Sequence, residues 1–284
     1  MENVTGKVAF ITGGASGIGF GMAQAFGRAG MKIIIADIEA GALKTANAGL
    51  KDDGIDSNTV CVDVSDRQAM AGAAKQAIEF HGAVHVLCNN AGVHIPSPLD
   101  QVTYKDWDWI MGVNLWGVIN GLMAFLPELK KHGKDAHIVS TASVGGLLGM
   151  PNIGIYNTTK FAVVGMMEAL RADMMDTGLG VSVLCPGLVK SNLSAATRNR
   201  PKEFVPDGAD NELDHTPGIM EQGVEPLVIG ENVLDAIKAD EFFICTHPEF
   251  KPLVEERGKA LLAAFKSDPS PEQAAAMRNM VRPW

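Results

Sequence analysis

Cysteine is scarce in this chain, positive charge runs short, and neither a long apolar run nor a repeated unit occurs. The four cysteines, Cys61, Cys88, Cys185 and Cys245, stand far apart in apolar, strand-like runs. That placement excludes a disulfide-framed fold and predicts buried free thiols in a reducing, cytoplasmic setting. No C-x-x-C spacing occurs, so no metal site is expected. A formal net charge of -9 and a pI near 5.3 argue against nucleic acid and anionic membrane as partners. No apolar stretch reaches the length of a membrane span, and Glu2 and Lys7 leave no room for a signal-peptide core.

What the chain does have is length, apolar residues and glycine. It holds 284 residues, 46% of them hydrophobic, with Gly 31. That is enough for one large α/β domain with a substantial core. Strand-like runs at 7–12, 31–37, 57–63, 84–89, 137–140 and 180–185 alternate with helical patterns at 17–29, 39–53, 67–81, 103–125 and 156–177. Alternation of this kind means a doubly wound parallel sheet with helices on both faces. The strand runs are almost continuously apolar, as strands buried on both sides require. Residues 189–226 break the rhythm and read as a lid insert. A helix at 229–239 and a last strand at 241–246 follow. The division expected is a catalytic domain over 1–250 and a helical extension over 251–284, packed on that domain or on a neighbouring subunit.

The chemistry-bearing residues sit where strands end. Thr12-Gly13-Gly14-Ala15-Ser16-Gly17-Ile18-Gly19 joins the first strand to the first helix. Glycines there permit a tight turn and close backbone approach, and a helix N-terminus favours a pyrophosphate. The spacing is G-x-x-x-G-x-G rather than G-x-G-x-x-G. Asp37 ends the second strand, where a carboxylate reads a ribose 2′-hydroxyl and repels a 2′-phosphate. No arginine or lysine lies within the glycine turn or just after Asp37, which favours NAD(H) over NADP(H). Asp37 is equally suited to cap the next helix. Asp63-Val64 closes the third strand, as an adenine contact or a helix cap, and Asn89-Asn90-Ala91-Gly92 ends the fourth.

Tyr156 and Lys160 are four residues apart, so on a helix they share a face. A phenol titrates near 10, and lowering it needs a nearby cation that outweighs desolvation. One lysine is barely sufficient for that task, and a second positive charge, such as an oxidised nicotinamide, would help.

In this order and spacing, the glycine turn, Asp63, Asn89 to Gly92, Asn114, Ser143, Tyr156 with Lys160, and Pro186-Gly187 resemble the short-chain dehydrogenase/reductase family. The resemblance implies a single-domain Rossmann-type fold of about seven strands and a homodimer or homotetramer. It implies Tyr156 as general acid/base and Lys160 as its electrostatic partner and ribose ligand. Ser143 would bind the substrate oxygen, and Asn114 would hold a water that links Lys160 to solvent. Gly13, Ser16, Gly17, Ile18, Gly19, Asp37, Asp63, Val64, Asn90, Gly92, Pro186, Val189 and Ser191 would line the cofactor. More loosely, the segments 106–121 and 190–201 resemble bacterial Cα-dehydrogenases of lignin-type aryl ethers. The small-molecule substrate expected is therefore a bulky, mostly apolar secondary alcohol or ketone. His94-Ile95-Pro96 and Gly145 to Pro151 are expected in its pocket wall, with Arg198 and Arg200 available to a charged group. The alternatives are an epimerase or dehydratase on the same scaffold, and a non-catalytic NAD(H)-binding regulator.

Overall fold

The computed structural model describes residues 1–206 and 220–281. Seven strands form one sheet: β1 (Val8–Thr12), β2 (Lys32–Asp37), β3 (Ser57–Cys61), β4 (Val86–Asn89), β5 (His137–Thr141), β6 (Gly180–Leu184) and β7 (Phe243–Ile244). Their order is β3-β2-β1-β4-β5-β6-β7, and every pairing is parallel. The helices are α1 (Gly17–Arg28), α2 (Ala40–Asp52), α3 (Arg67–His81), α4 (Tyr104–Met111), α5 (Gly117–His132), α6 (Gly154–Met174), α7 (Pro226–Ala239), α8 (Lys251–Ala263) and α9 (Pro271–Met280).

The continuous apolar strands explain the two-sided burial. Every residue of β1, β5 and β6 is buried. One face packs Phe10, Ile34 and Leu87 against Met70 of α3, Phe125 of α5 and Met167 of α6. The other packs Ile11, Ile33 and Ile35 against Phe26 of α1, Leu50 of α2 and Ile229 of α7. Each fully buried side chain of this size contributes roughly 1.5–3 kcal/mol before entropic losses. Helices α1 and α7 touch backbone to backbone: a Cβ on Gly21 would lie 2.1 Å from the Pro226 carbonyl oxygen. The strand order turns back between β1 and β4, which opens a crevice at the carboxyl ends of the strands.

Three expectations are corrected. The helix expected over 103–125 is interrupted by a π-helical turn, Gly112–Trp116, that carries Asn114. Its helical stretch Tyr104–Asp135 is, against expectation, long and apolar enough to cross a bilayer, but half of its most apolar window is buried inside the domain. The cysteines are free, yet Cys61 and Cys245 are exposed, because they lie at the two edge strands. Cys185 and Cys245, far apart in sequence, are hydrogen-bonded neighbours beyond the β6–β7 register. The insert after β6, which breaks the rhythm in sequence, forms 3-10 turns where described, over Leu193–Asn199, Lys202–Phe204 and Met220–Gln222. Its centre, 207–219, lies outside the described residues. No side chain of α8 is buried, and its Arg257 guanidinium stacks 5.3 Å from the Phe161 ring centroid.

Candidate active site

The crevice at the carboxyl ends of the strands is a cavity of about 450 Å³. Fifteen of the expected site residues line it; Gly19 and Asn114 do not, but they pack against Gly13 and Gly92, which do. At the β1–α1 turn, Gly13 and Gly17 hold φ of +62° and +51°, a region that side chains avoid. A Cβ on Gly19 would sit 2.1 Å from the Gly13 carbonyl oxygen. Ser16 occupies the N-cap of α1 but makes no side-chain capping bond, so the first amides of the helix are open to an anion. Asn90 ties this turn to β5: its Nδ2 donates to the Thr12 carbonyl at 3.1 Å, and its Oδ1 accepts from Thr141 Oγ1 at 3.1 Å.

Asp37 lies at one side of the crevice. Its carboxylate accepts from the amides of Ala15 and Glu39, each at 3.2 Å. Burial raises its pKa, and the two amides oppose that rise. Asp63 faces the crevice and accepts from the Ser65 amide at 2.8 Å. The cap of α3 falls to Asp66 instead, whose carboxylate accepts from the amides of Gln68 and Ala69. These residues fit a dinucleotide: open amides for a pyrophosphate, a carboxylate for a ribose, and glycines where the backbone must come close.

Across the crevice, Tyr156 and Lys160 lie on the first turns of α6. The Lys160 ammonium is buried, donates to the Thr141 carbonyl at 2.8 Å, and stands 5.3 Å from the Tyr156 ring centroid. Burial lowers its pKa to about 8. Tyr156 shifts in the opposite sense. Burial pushes it up to about 12, and a hydrogen bond with the Ser143 side chain offsets only part of that. The ammonium is spent on a carbonyl, so desolvation wins in the chain alone. Ser143 Oγ also accepts from the Gly145 amide at 3.0 Å. Asn114 is fully buried: its Oδ1 accepts from the Val93 amide at 2.7 Å and its Nδ2 donates to the Val93 carbonyl at 2.9 Å.

Residues 7–202 match the family model described as short chain dehydrogenase. The chain belongs to the short-chain dehydrogenase family. It is 39% identical to a C alpha-dehydrogenase of Sphingobium sp. strain SYK-6 over 276 residues, covering 95% of this chain and 90% of that protein. A short-chain dehydrogenase/reductase of Burkholderia phymatum, solved in complex with NAD, superimposes with a TM-score of 0.88 at 35% identity, covering 95% of this chain and 99% of that one. The apo form of LigO from Sphingobium sp. strain SYK-6 gives a TM-score of 0.80 at 36% identity, covering 99% and 97%.

Within this short-chain dehydrogenase, several residues do work that no local pattern announced. Thr12 Oγ1 accepts from the amides of Asn90 and Ala91 at 2.8 and 3.1 Å, which fixes the end of β4 against the glycine turn. His247, buried, accepts from the Gly187 amide at 2.9 Å and faces the Leu188 carbonyl at 3.0 Å. It thereby holds the loop that carries Pro186 and Val189. Asn157 donates to the Gly145 and Leu148 carbonyls, both at 2.7 Å, and shapes the loop beside Tyr156.

The pocket wall is corrected. Where His94 to Pro96 and Gly145 to Pro151 were expected, the cavity surface is formed by Val93, Trp109, Val113, Ala196, Phe204 and Met220. His94 packs edge-on against the Tyr156 ring at 5.3 Å, and burial lowers its pKa to about 4. The two arginines are not available to a substrate. Arg200 is buried against Asp106 Oδ1 at 2.6 Å, and Arg198 reaches Glu39 Oε1 at 2.5 Å. Each has a carboxylate partner that folding brings from far along the chain.

Proposed function

We propose that this chain is an NAD-dependent oxidoreductase that moves a hydride between a bulky, aryl-bearing secondary alcohol or its ketone and the nicotinamide. One observation carries the reading: Tyr156, Ser143 and Lys160 line the same cavity as Asp37, the open start of α1 and the apolar side chains of Trp109, Val113 and Phe204. A bound nicotinamide dinucleotide supplies the hydride acceptor and, when oxidised, a positively charged ring. Asp37 accepts from the adenosine ribose and disfavours a 2′-phosphate, which is the basis for NAD over NADP. Ser143 holds the substrate oxygen against the Tyr156 hydroxyl. Tyr156 takes the carbinol proton in oxidation and returns it in reduction. Lys160 holds a positive charge behind the phenol, and Asn114 keeps the Val93 backbone in register beside it.

The substrate class rests on the wall formed by Trp109, Val113, Ala196 and Phe204, which offers apolar surface. The name of the Sphingobium relative, a C alpha-dehydrogenase, supports the same class. Nothing in the cavity calls for epimerase or dehydratase chemistry, and a regulator without activity has no use for the intact Ser143–Tyr156–Lys160 set. A panel of secondary alcohols, followed by NADH absorbance, tests the reading. Aryl carbinols should exceed short aliphatic alcohols in kcat/KM by at least about tenfold; no turnover on any alcohol or ketone would remove it. Trp116 and Met123, both exposed, support the expected homodimer or homotetramer. Sedimentation as a monomer at micromolar concentration would end that expectation.

A further inference from the structure

The corner beside Asp37 contains more charge than the dinucleotide reading uses. Glu39 stands two residues beyond Asp37, at the start of α2. Its Oε1 accepts from Arg198 Nη2 at 2.5 Å and from Asn199 Nδ2 at 2.8 Å. Both donors come from the 3-10 segment after β6, about 160 residues away in sequence. The guanidinium is held from a second side as well: its Nη1 donates to the Asn192 and Ala195 carbonyls at 3.1 and 2.8 Å. Arg198, Asp37 and Glu39 line the crevice together, and all three also line a second cavity. A cation therefore sits in the corner where the sequence showed none.

We propose that Arg198 is a preformed ligand for a ribose 2′-phosphate that Glu39 keeps occupied, so that Glu39 together with Asp37 sets the cofactor preference. This rests on the reading of the crevice as a dinucleotide site. Two carboxylates against one guanidinium leave the corner net negative, and a phosphate dianion is repelled. The guanidinium fork suits a phosphate as well as it suits a carboxylate. Its two carbonyl contacts do not involve Glu39, so they keep the fork aimed when the Glu39 charge is removed. Glu39→Gln removes the competing charge and keeps an oxygen acceptor for Asn199. The corner then becomes neutral overall, with one guanidinium donor face released.

Calorimetric titration with adenosine 5′-monophosphate and adenosine 2′,5′-bisphosphate reads this without catalysis. The native chain should bind the monophosphate and disfavour the bisphosphate. Glu39→Gln should shift the ratio of the two affinities toward the bisphosphate by about tenfold or more, the effect of removing one close like charge. Adding Arg198→Ala to Glu39→Gln should abolish that gain. An unchanged ratio in Glu39→Gln, or a gain that survives Arg198→Ala, overturns the inference while the monophosphate result leaves the dinucleotide reading standing. Binding of neither nucleotide by the native chain overturns that reading and this inference with it.

Discussion

At Tyr156, burial and hydrogen bonding act in opposite directions. Burial holds the phenol near 12, and Ser143 is the side chain that pulls it down. Alcohol oxidation needs the deprotonated phenol as acceptor, so its rate should rise with pH, and ketone reduction should fall over the same range. Removing the Ser143 hydroxyl removes the hydrogen bond that pulls the phenol down. Ser143→Ala should therefore move the rising limb of the oxidation profile to higher pH and lower kcat by about a hundredfold. A pH–rate series on both directions checks this, and an unmoved limb would separate Ser143 from the phenol. The Tyr156–Lys160 pairing was legible in sequence because four residues are one helical turn. What was not legible is that the ammonium is bonded to the Thr141 carbonyl at 2.8 Å, a partner on β5 that no helical spacing reveals.

Among the elements, the 3-10 segment after β6 is fastened at two points. Arg198 fastens it beside Asp37, and Arg200 fastens it to α4. The second anchor is the more deeply buried, with the Arg200 and Asp106 side chains 2% and 9% exposed. Asp106 also closes the capping box of α4 by accepting from Thr103. Arg200→Met leaves a buried carboxylate without its cation and should cost about 3–5 kcal/mol in denaturant unfolding. It should also raise the substrate KM, because Ala196 and Phe204 lose their footing, while NADH affinity stays within about threefold. A KM that stays level would detach this strap from the substrate pocket. The π turn at Gly112–Trp116 belongs to the same scale. Helical periodicity there runs unbroken in the sequence, and only tertiary packing inserts the extra residue that turns Asn114 inward to Val93.

For the molecule as a whole, the sheet was readable because its strands are short, almost wholly apolar and punctuated by turn residues. Strand and helix alternation then left few topologies open. The reversal of strand order between β1 and β4 fixes where a ligand can lie, and the glycine turn and Asp37 fall there in consequence. The arginine partners and the residues that line the cavity were hidden for the opposite reason. They depend on a loop whose path is set by distant carboxylates and apolar faces, and no local pattern records that path. The proposed proton transfer by Tyr156 inside a dinucleotide crevice is the step on which the activity predictions rest. The direct test is Tyr156→Phe, assayed for turnover of an aryl secondary alcohol and for NADH affinity in the same preparation. Tyr156→Phe should lower kcat/KM by about a thousandfold or more, with NADH affinity within about threefold of the native chain. Turnover close to the native rate would contradict that proton transfer.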